Sequence, residues 1–206
     1  MFPAVASKSF ANNKNKLLFR KILFRILNKL RSLKLLTDRV NYIHNQVDRN
    51  LQIVTEDPIA KKLLSCKKGC SACCHTQVSV TSDEALYYAG KILSGEIKVD
   101  LKRLAIQAKV KNNSEDYFKI PYELRKCIFL NNKNACSIYE DRPTVCRTNL
   151  VISDKKDCLT EDGIEKPIRL LKTERADTVI IGAFSHSKTN GTLPYMIYKI
   201  INILKI

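Results

Sequence analysis

The stretch that decides the fold is Cys66-Lys67-Lys68-Gly69-Cys70-Ser71-Ala72-Cys73-Cys74, which packs four of the chain's eight cysteines into nine residues. Its pattern is C-x3-C-x2-C-C. A metal bonded to sulfur at about 2.3 Å needs its thiolates only about 4 Å apart, and a tight turn supplies several at small entropic cost. Gly69, just before Cys70, permits the bend. The other four cysteines are Cys127, Cys136, Cys146 and Cys158, so none lies before Cys66 or after Cys158. All eight are candidate metal ligands. Eight thiolates suit two tetrahedral four-sulfur sites, one cubane cluster with spare ligands, or a shared polynuclear site. The expected cofactor is zinc or an iron–sulfur cluster.

A disulfide framework fits less well. Residues 1–16 lack the uninterrupted apolar run and small-residue cleavage site of an export signal, so a cytoplasmic location is expected. In that reducing setting clustered cysteines hold metal more often than they pair, and a bond between adjacent Cys73 and Cys74 would be strained. A four-thiolate zinc site carries about two net negative charges. Lys67, Lys68, Arg142 and Arg147 adjoin the cysteines and are candidates to offset them. His75, next to Cys74, reads as a loop histidine rather than a ninth ligand, and His44 and His186 as structural or surface residues.

Working outward, Cys127-Ile-Phe-Leu130, the turn-forming Asn131–Asn134 and Cys136-Ser-Ile-Tyr139 predict a hairpin whose strands each begin with a cysteine. Arg142-Pro143 opens a turn that delivers Cys146. Upstream, Ser82 is expected to cap a helix that ends near Gly95, with Asp83 and Glu84 in its first turn. A second helix is expected over 100–111. Downstream, Thr178–Ala183 reads as a strand and Leu193–Leu204 as a helix. The predicted class is α+β, mainly helical: a small cysteine-cluster metal domain with a central hairpin and flanking helices.

The N-terminal quarter has a different character. The net charge is +16, and residues 1–50 hold 11 Lys and Arg against two Asp. Residues 1–13 read as a loose leader. From Lys14 to Leu36 the apolar residues Phe19, Ile22, Ile26, Leu30 and Leu33 recur at helical spacing among Lys and Arg, which predicts a basic amphipathic helix. The interrupting charges rule out a membrane span there. A further helix follows from Thr37 to about Ile53, and a short one over Ile59–Leu64. Residues 1–55 are accordingly expected to be a basic helical extension and 56–206 the metal domain.

Taken together, the Cys66–Cys74 knot, Cys127-Ile-Phe-Leu130, Cys136-x-Ile-Tyr139 and Arg142-Pro-x-x-Cys146-Arg147 resemble the YkgJ-type cysteine-cluster proteins. The resemblance covers about Cys66–Cys158 and implies chelation of zinc or iron. The first gap has three residues where the family shorthand has two; the remaining order and spacing hold. Flagellin lysine N-methylases carry a similar domain but are much longer, and no methyl-donor site is visible here, so that activity does not transfer. The Cys66-x3-Cys70-x2-Cys73 spacing also fits radical S-adenosylmethionine enzymes. Their motif follows a barrel strand and usually has an aromatic where this chain has Ala72.

No nucleotide-binding glycine loop and no nucleophile elbow is present, and no reaction can be read from the residues. The leading expectation is a cysteine-cluster protein whose metal is structural or redox-active, since eight sulfurs leave no obvious open coordination position. An iron–sulfur-dependent oxidoreductase or protein-modifying enzyme is one alternative. A basic zinc protein that binds nucleic acid is another, with charge in its favour but no recognised module. Besides the metal ion, the expected partner is an anionic membrane surface or an acidic protein at the N-terminal helix.

Overall fold

The computed structural model of the chain describes residues 2–67 and 69–204. Helices α1 (Ala4–Asn13), α2 (Leu17–Ser32), α3 (Leu36–Thr55) and α4 (Pro58–Leu63) precede the cysteine knot. Strand β1 (Ser79–Thr81) leads into α5 (Ser82–Leu93). There follow α6 (Leu101–Lys109), α7 (Ser114–Phe118), α8 (Tyr122–Arg125) and α9 (Thr144–Thr148). Helix α10 (Glu174–His186), strand β2 (Asn190–Thr192) and α11 (Leu193–Leu204) close the fold. The mainly helical α+β expectation holds. Among the described residues no helix is long and apolar enough to cross a membrane.

Two hydrophobic clusters hold these elements. One gathers Ile26, Leu30, Ile43, Val47, Leu51, Val179, Ile180 and Phe184 and is centred on α10, against which α1, α2 and α3 pack. The other gathers Val80, Tyr88, Leu104, Phe129, Met196, Ile197 and Ile201, where α5 and α6 meet α11. The sheet is the seam between them: β1 pairs antiparallel with β2, Val80 opposite Gly191.

Several local expectations change. Thr178–Ala183 is the middle of α10 and not a strand. Its β-branched residues are surrounded by three helices, and residues 176–184 are all buried. A helix apolar on every side reads like a buried strand from sequence alone. Gly182 permits this packing, since a Cβ there would stand 2.7 Å from Cγ2 of Ile26. Residues 4–13, expected to be loose, form α1 and lie on α10. The basic helix forms as predicted. Its stripe is spent on the fold: Phe19, Ile26 and Leu30 are buried.

The cap of the helix after the knot lies one residue earlier than expected, at Thr81 rather than Ser82. Thr81 is the N-cap, and a capping box links its hydroxyl to the Glu84 N–H and the Glu84 carboxylate to the Thr81 N–H. In α3 the N-cap is Leu35 rather than Thr37. The Cys127–Tyr139 segment folds back as expected, around Asn131 and Asn134, but its pairing is a single bridge between Leu130 and Cys136. The regular strands are β1 and β2.

Candidate metal centre

Each cysteine is delivered by a different local device. Cys66 follows α4, which Asp57 caps by accepting from the N–H groups of Ile59 and Ala60. The Ser65 N–H then donates to Val151 O, and the Val151 N–H points at Cys66 Sγ from 3.3 Å. Gly69 takes φ +87°, a conformation few other residues adopt, and turns the chain into Cys70. Cys73 and Cys74 sit in the 3₁₀ turn Ala72–His75. The Cys127 N–H donates to Cys74 O at 2.7 Å, pinning the hairpin segment to the knot. Cys146 lies in α9, just after Pro143, and Cys158 ends a second 3₁₀ turn, Lys155–Cys158, that contacts the first.

The sulfurs share one electrostatic neighbourhood. Burial pushes the Cys66 thiol up, against the Val151 N–H, and Cys73 and Cys70 add to the rise. Burial also pushes Cys158 up to about 11, with Cys73, Cys66 and Cys70 contributing. On the other side burial raises Cys146, helped by Cys127, Cys73 and Cys136. Cys127 is pushed to about 11 by burial, opposed by the Phe129 N–H and raised again by Cys136. Cys136 is raised by burial against the Ile138 N–H. Cys73 bears on both sides, adding to the rise of Cys66 and Cys158 and also to that of Cys127 and Cys146. Cys73 and Cys74 form the junction. The hydrogen bond from Cys74 lowers Cys73 to about 7 and raises Cys74.

The donor chemistry fits a soft metal. All eight cysteines are free thiols. Backbone N–H groups aimed at Cys66, Cys127 and Cys136 favour the charged sulfur. Sulfur-only surroundings select zinc or iron–sulfur chemistry over magnesium or calcium. The segments are gathered, yet among the described residues no three His, Cys, Asp or Glu side chains are placed so as to hold one ion.

Of the candidate cations, Arg147 takes another role and Arg142 the one expected. Arg147 is buried and committed to the Asp48 carboxylate and the carbonyls of Glu140 and Arg142, so it builds the turn around Cys146. Arg142 stacks on Tyr139 at 4.1 Å, and its charge favours the Cys136 thiolate. Lys67 is exposed, and Lys68 lies outside the described residues. His75 is buried rather than the solvated loop residue expected: it stacks on Tyr122 at 4.2 Å with Nδ1 3.3 Å from Ser71 O. His44 is buried beside Glu84, its Nε2 3.5 Å from the carboxylate.

Four supporting residues escape sequence reasoning. The Asn149 side chain hydrogen-bonds Cys73 while its carbonyl faces Cys66 Sγ at 3.8 Å. Arg103 in α6 supplies positive charge to Cys127. Glu84 reaches past its own cap to accept from the Thr144 N–H at 2.8 Å, fixing the turn that carries Cys146. Arg125, only 1% exposed, sends its guanidinium to the hydroxyl and carbonyl of Thr160. It lies between Phe118 and Tyr122, at 5.1 and 5.2 Å from their ring centres. Because Arg125 precedes Cys127 by two residues and Thr160 follows Cys158 by two, this contact bolts two cysteine segments together. Only Asn149 and Arg125 lie within three residues of a cysteine; nothing in the sequence ties Arg103 or Glu84 to one.

With that geometry in place, the comparison with known families is decisive for the cysteine region. Residues 65–163 match the family model described as "CxxCxxCC: Putative zinc- or iron-chelating domain". This segment is similar to that domain. No curated protein and no solved structure matches the chain. The matched segment begins just before Cys66 and ends just after Thr160, so it contains all eight cysteines and the Arg125–Thr160 bolt. Metal binding is therefore a property of the chain's central region.

Proposed function

We propose that the chain is a metal–thiolate protein in which Cys66, Cys70, Cys73 and Cys158 form one ligand set and Cys74, Cys127, Cys136 and Cys146 the other. The observation that supports this reading is that the Lys155–Cys158 turn lies against the Ala72–His75 turn while the Cys127 N–H bonds Cys74 O, so free thiols from distant segments converge on the knot. Bound zinc would supply a rigid tetrahedral cross-link, and a bound iron–sulfur cluster an electron-carrying centre. Each set consists of sulfur alone, which suits a structural or electron-transfer role, because catalytic zinc keeps one position open. The chain's own residues orient and solvate the sulfurs. Asn149 and the N–H groups of Val151, Phe129 and Ile138 donate to them, and Arg103 and Arg142 offset their charge.

Metal analysis of anaerobically purified protein, with its visible spectrum, tests the proposal. Stoichiometric zinc in colourless protein, or iron with the brown colour of a sulfide cluster, is the expected result. The His75→Ala variant is expected to keep the same metal content, because its ring is used in stacking. Protein that folds fully while holding neither metal would rule out the thiolate-centre reading.

A further inference from the structure

Helix α2 has a second apolar feature that the fold does not use. Its stripe, Phe19, Ile26 and Leu30, is turned into the cluster around α10. Leu17 and Phe24 lie on the opposite side and are 65% and 67% exposed. At about 100° per residue, positions 17 and 24 fall nearly in line, two turns apart. Arg20 and Arg31 flank that line on one side and Lys21 and Arg25 on the other, all exposed. Residues 1–37 contain nine Lys and Arg and no Asp or Glu. Among the described residues none of these nine forms an ion pair.

We propose that this outer face of α2 docks on an anionic lipid surface, with Leu17 and Phe24 entering the headgroup–acyl boundary and Arg20, Lys21, Arg25 and Arg31 meeting lipid phosphates. The arrangement is that of an interfacial helix, an apolar ridge between basic flanks. The ridge decides between classes of partner. Leu17 and Phe24 stand at the apex of the face, so they go deepest into whatever it meets. Hydrocarbon accepts them favourably. A nucleic-acid backbone or an acidic protein surface would meet the apex first and be held off the flanking cations. The packing of α2 on α10 fixes the orientation, so the ridge is presented without any rearrangement. This inference is independent of the metal reading.

The chain contains no Trp, so Phe24→Trp in the full-length protein is a single fluorescent reporter at the apex. With phosphatidylcholine vesicles containing about 30 mol % phosphatidylserine, its emission shifts to the blue and the protein co-sediments; with phosphatidylcholine alone neither occurs. Leu17→Ser with Phe24→Ser, and separately Arg20→Glu with Arg31→Glu, each lower vesicle binding by at least about tenfold, with wild-type circular dichroism and melting. An emission spectrum unmoved by anionic vesicles would overturn the proposal. So would a Leu17→Ser, Phe24→Ser variant that sediments like the wild type, since the face would then read charge alone.

Discussion

Stripping the metal from the protein is expected to loosen the cysteine-bearing loops and to leave most helix in place. Residues 64–77 and 126–160 contribute few large apolar side chains of their own beyond Ile128, Phe129, Leu130, Ile138 and Val151. Their ligands come from segments far apart in sequence, so the energy of metal binding, about 10–16 kcal/mol for structural zinc, is largely folding energy there. Helices α1–α3 with α10, and α5–α6 with α11, are held by the two hydrophobic clusters instead. The dichroism of the stripped protein therefore stays mainly helical, its melting temperature falls on the order of 20 °C, and amide exchange rises in the two loop regions. An unchanged melting curve with unchanged exchange would show that the metal contributes nothing to the fold. From the sequence alone a loss across 66–158 is expected. The packing of α5 and α6 on α11 narrows it.

Glu84→Ala is expected to be the most damaging single substitution outside the cysteines. The carboxylate is 2% exposed and accepts from the Thr81 N–H, the Thr81 hydroxyl and the Thr144 N–H, with His44 beside it. Truncation removes the carboxylate half of the capping box, leaves two buried N–H donors unpaired and frees the turn before Cys146, a loss of about 3–5 kcal/mol. Glu84→Gln keeps acceptors in place and should lose less. Burial opposes ionisation of Glu84, but His44 beside it and the N–H groups of Thr144 and Thr81 outweigh it and hold the carboxyl below its ordinary value. A depressed carboxylate contributes stability above its unfolded pKa and loses it as pH falls through the folded one. The gap in melting temperature between wild type and Glu84→Gln should therefore be full at neutral pH and narrow below the carboxylate range. A gap that widens in acid would show that ionised Glu84 is not the stabilising form.

The parts of the molecule visible in its sequence are those fixed by local chemistry. The knot, the Asn-rich turn, the Arg142-Pro143 turn and the amphipathic helices each declare themselves through residues a few positions apart. Thr178–Ala183 misleads because periodicity vanishes when every side of a helix is buried. Residues 4–13 mislead for the reverse reason: their helix is weakly patterned, and Ala6 is buried by α10, which lies about 170 residues away in the chain. Among the cysteines, type and spacing announce a metal domain. The proposed division into two sets does not follow from spacing, since it rests on the Lys155–Cys158 turn coming back to the Ala72–His75 turn and on the Cys127 N–H bonding to Cys74 O. Asn149, Arg103, Glu84 and Arg125 are invisible for the same reason, because their partners lie across the fold. Leu17 and Phe24 become meaningful only once α10 shows which side of α2 faces inward.

The central claim, that eight thiolates form two sets of four, is tested most directly by metal-to-protein ratios of two serine variants and their combination. Cys158 belongs to one set and Cys136 to the other. Cys158→Ser and Cys136→Ser are each predicted to lose about half of the bound metal, and the double variant nearly all of it. Loss of all metal in either single variant would show one shared cluster, and full retention in both would show that neither sulfur is a ligand; each result would contradict the two-set account.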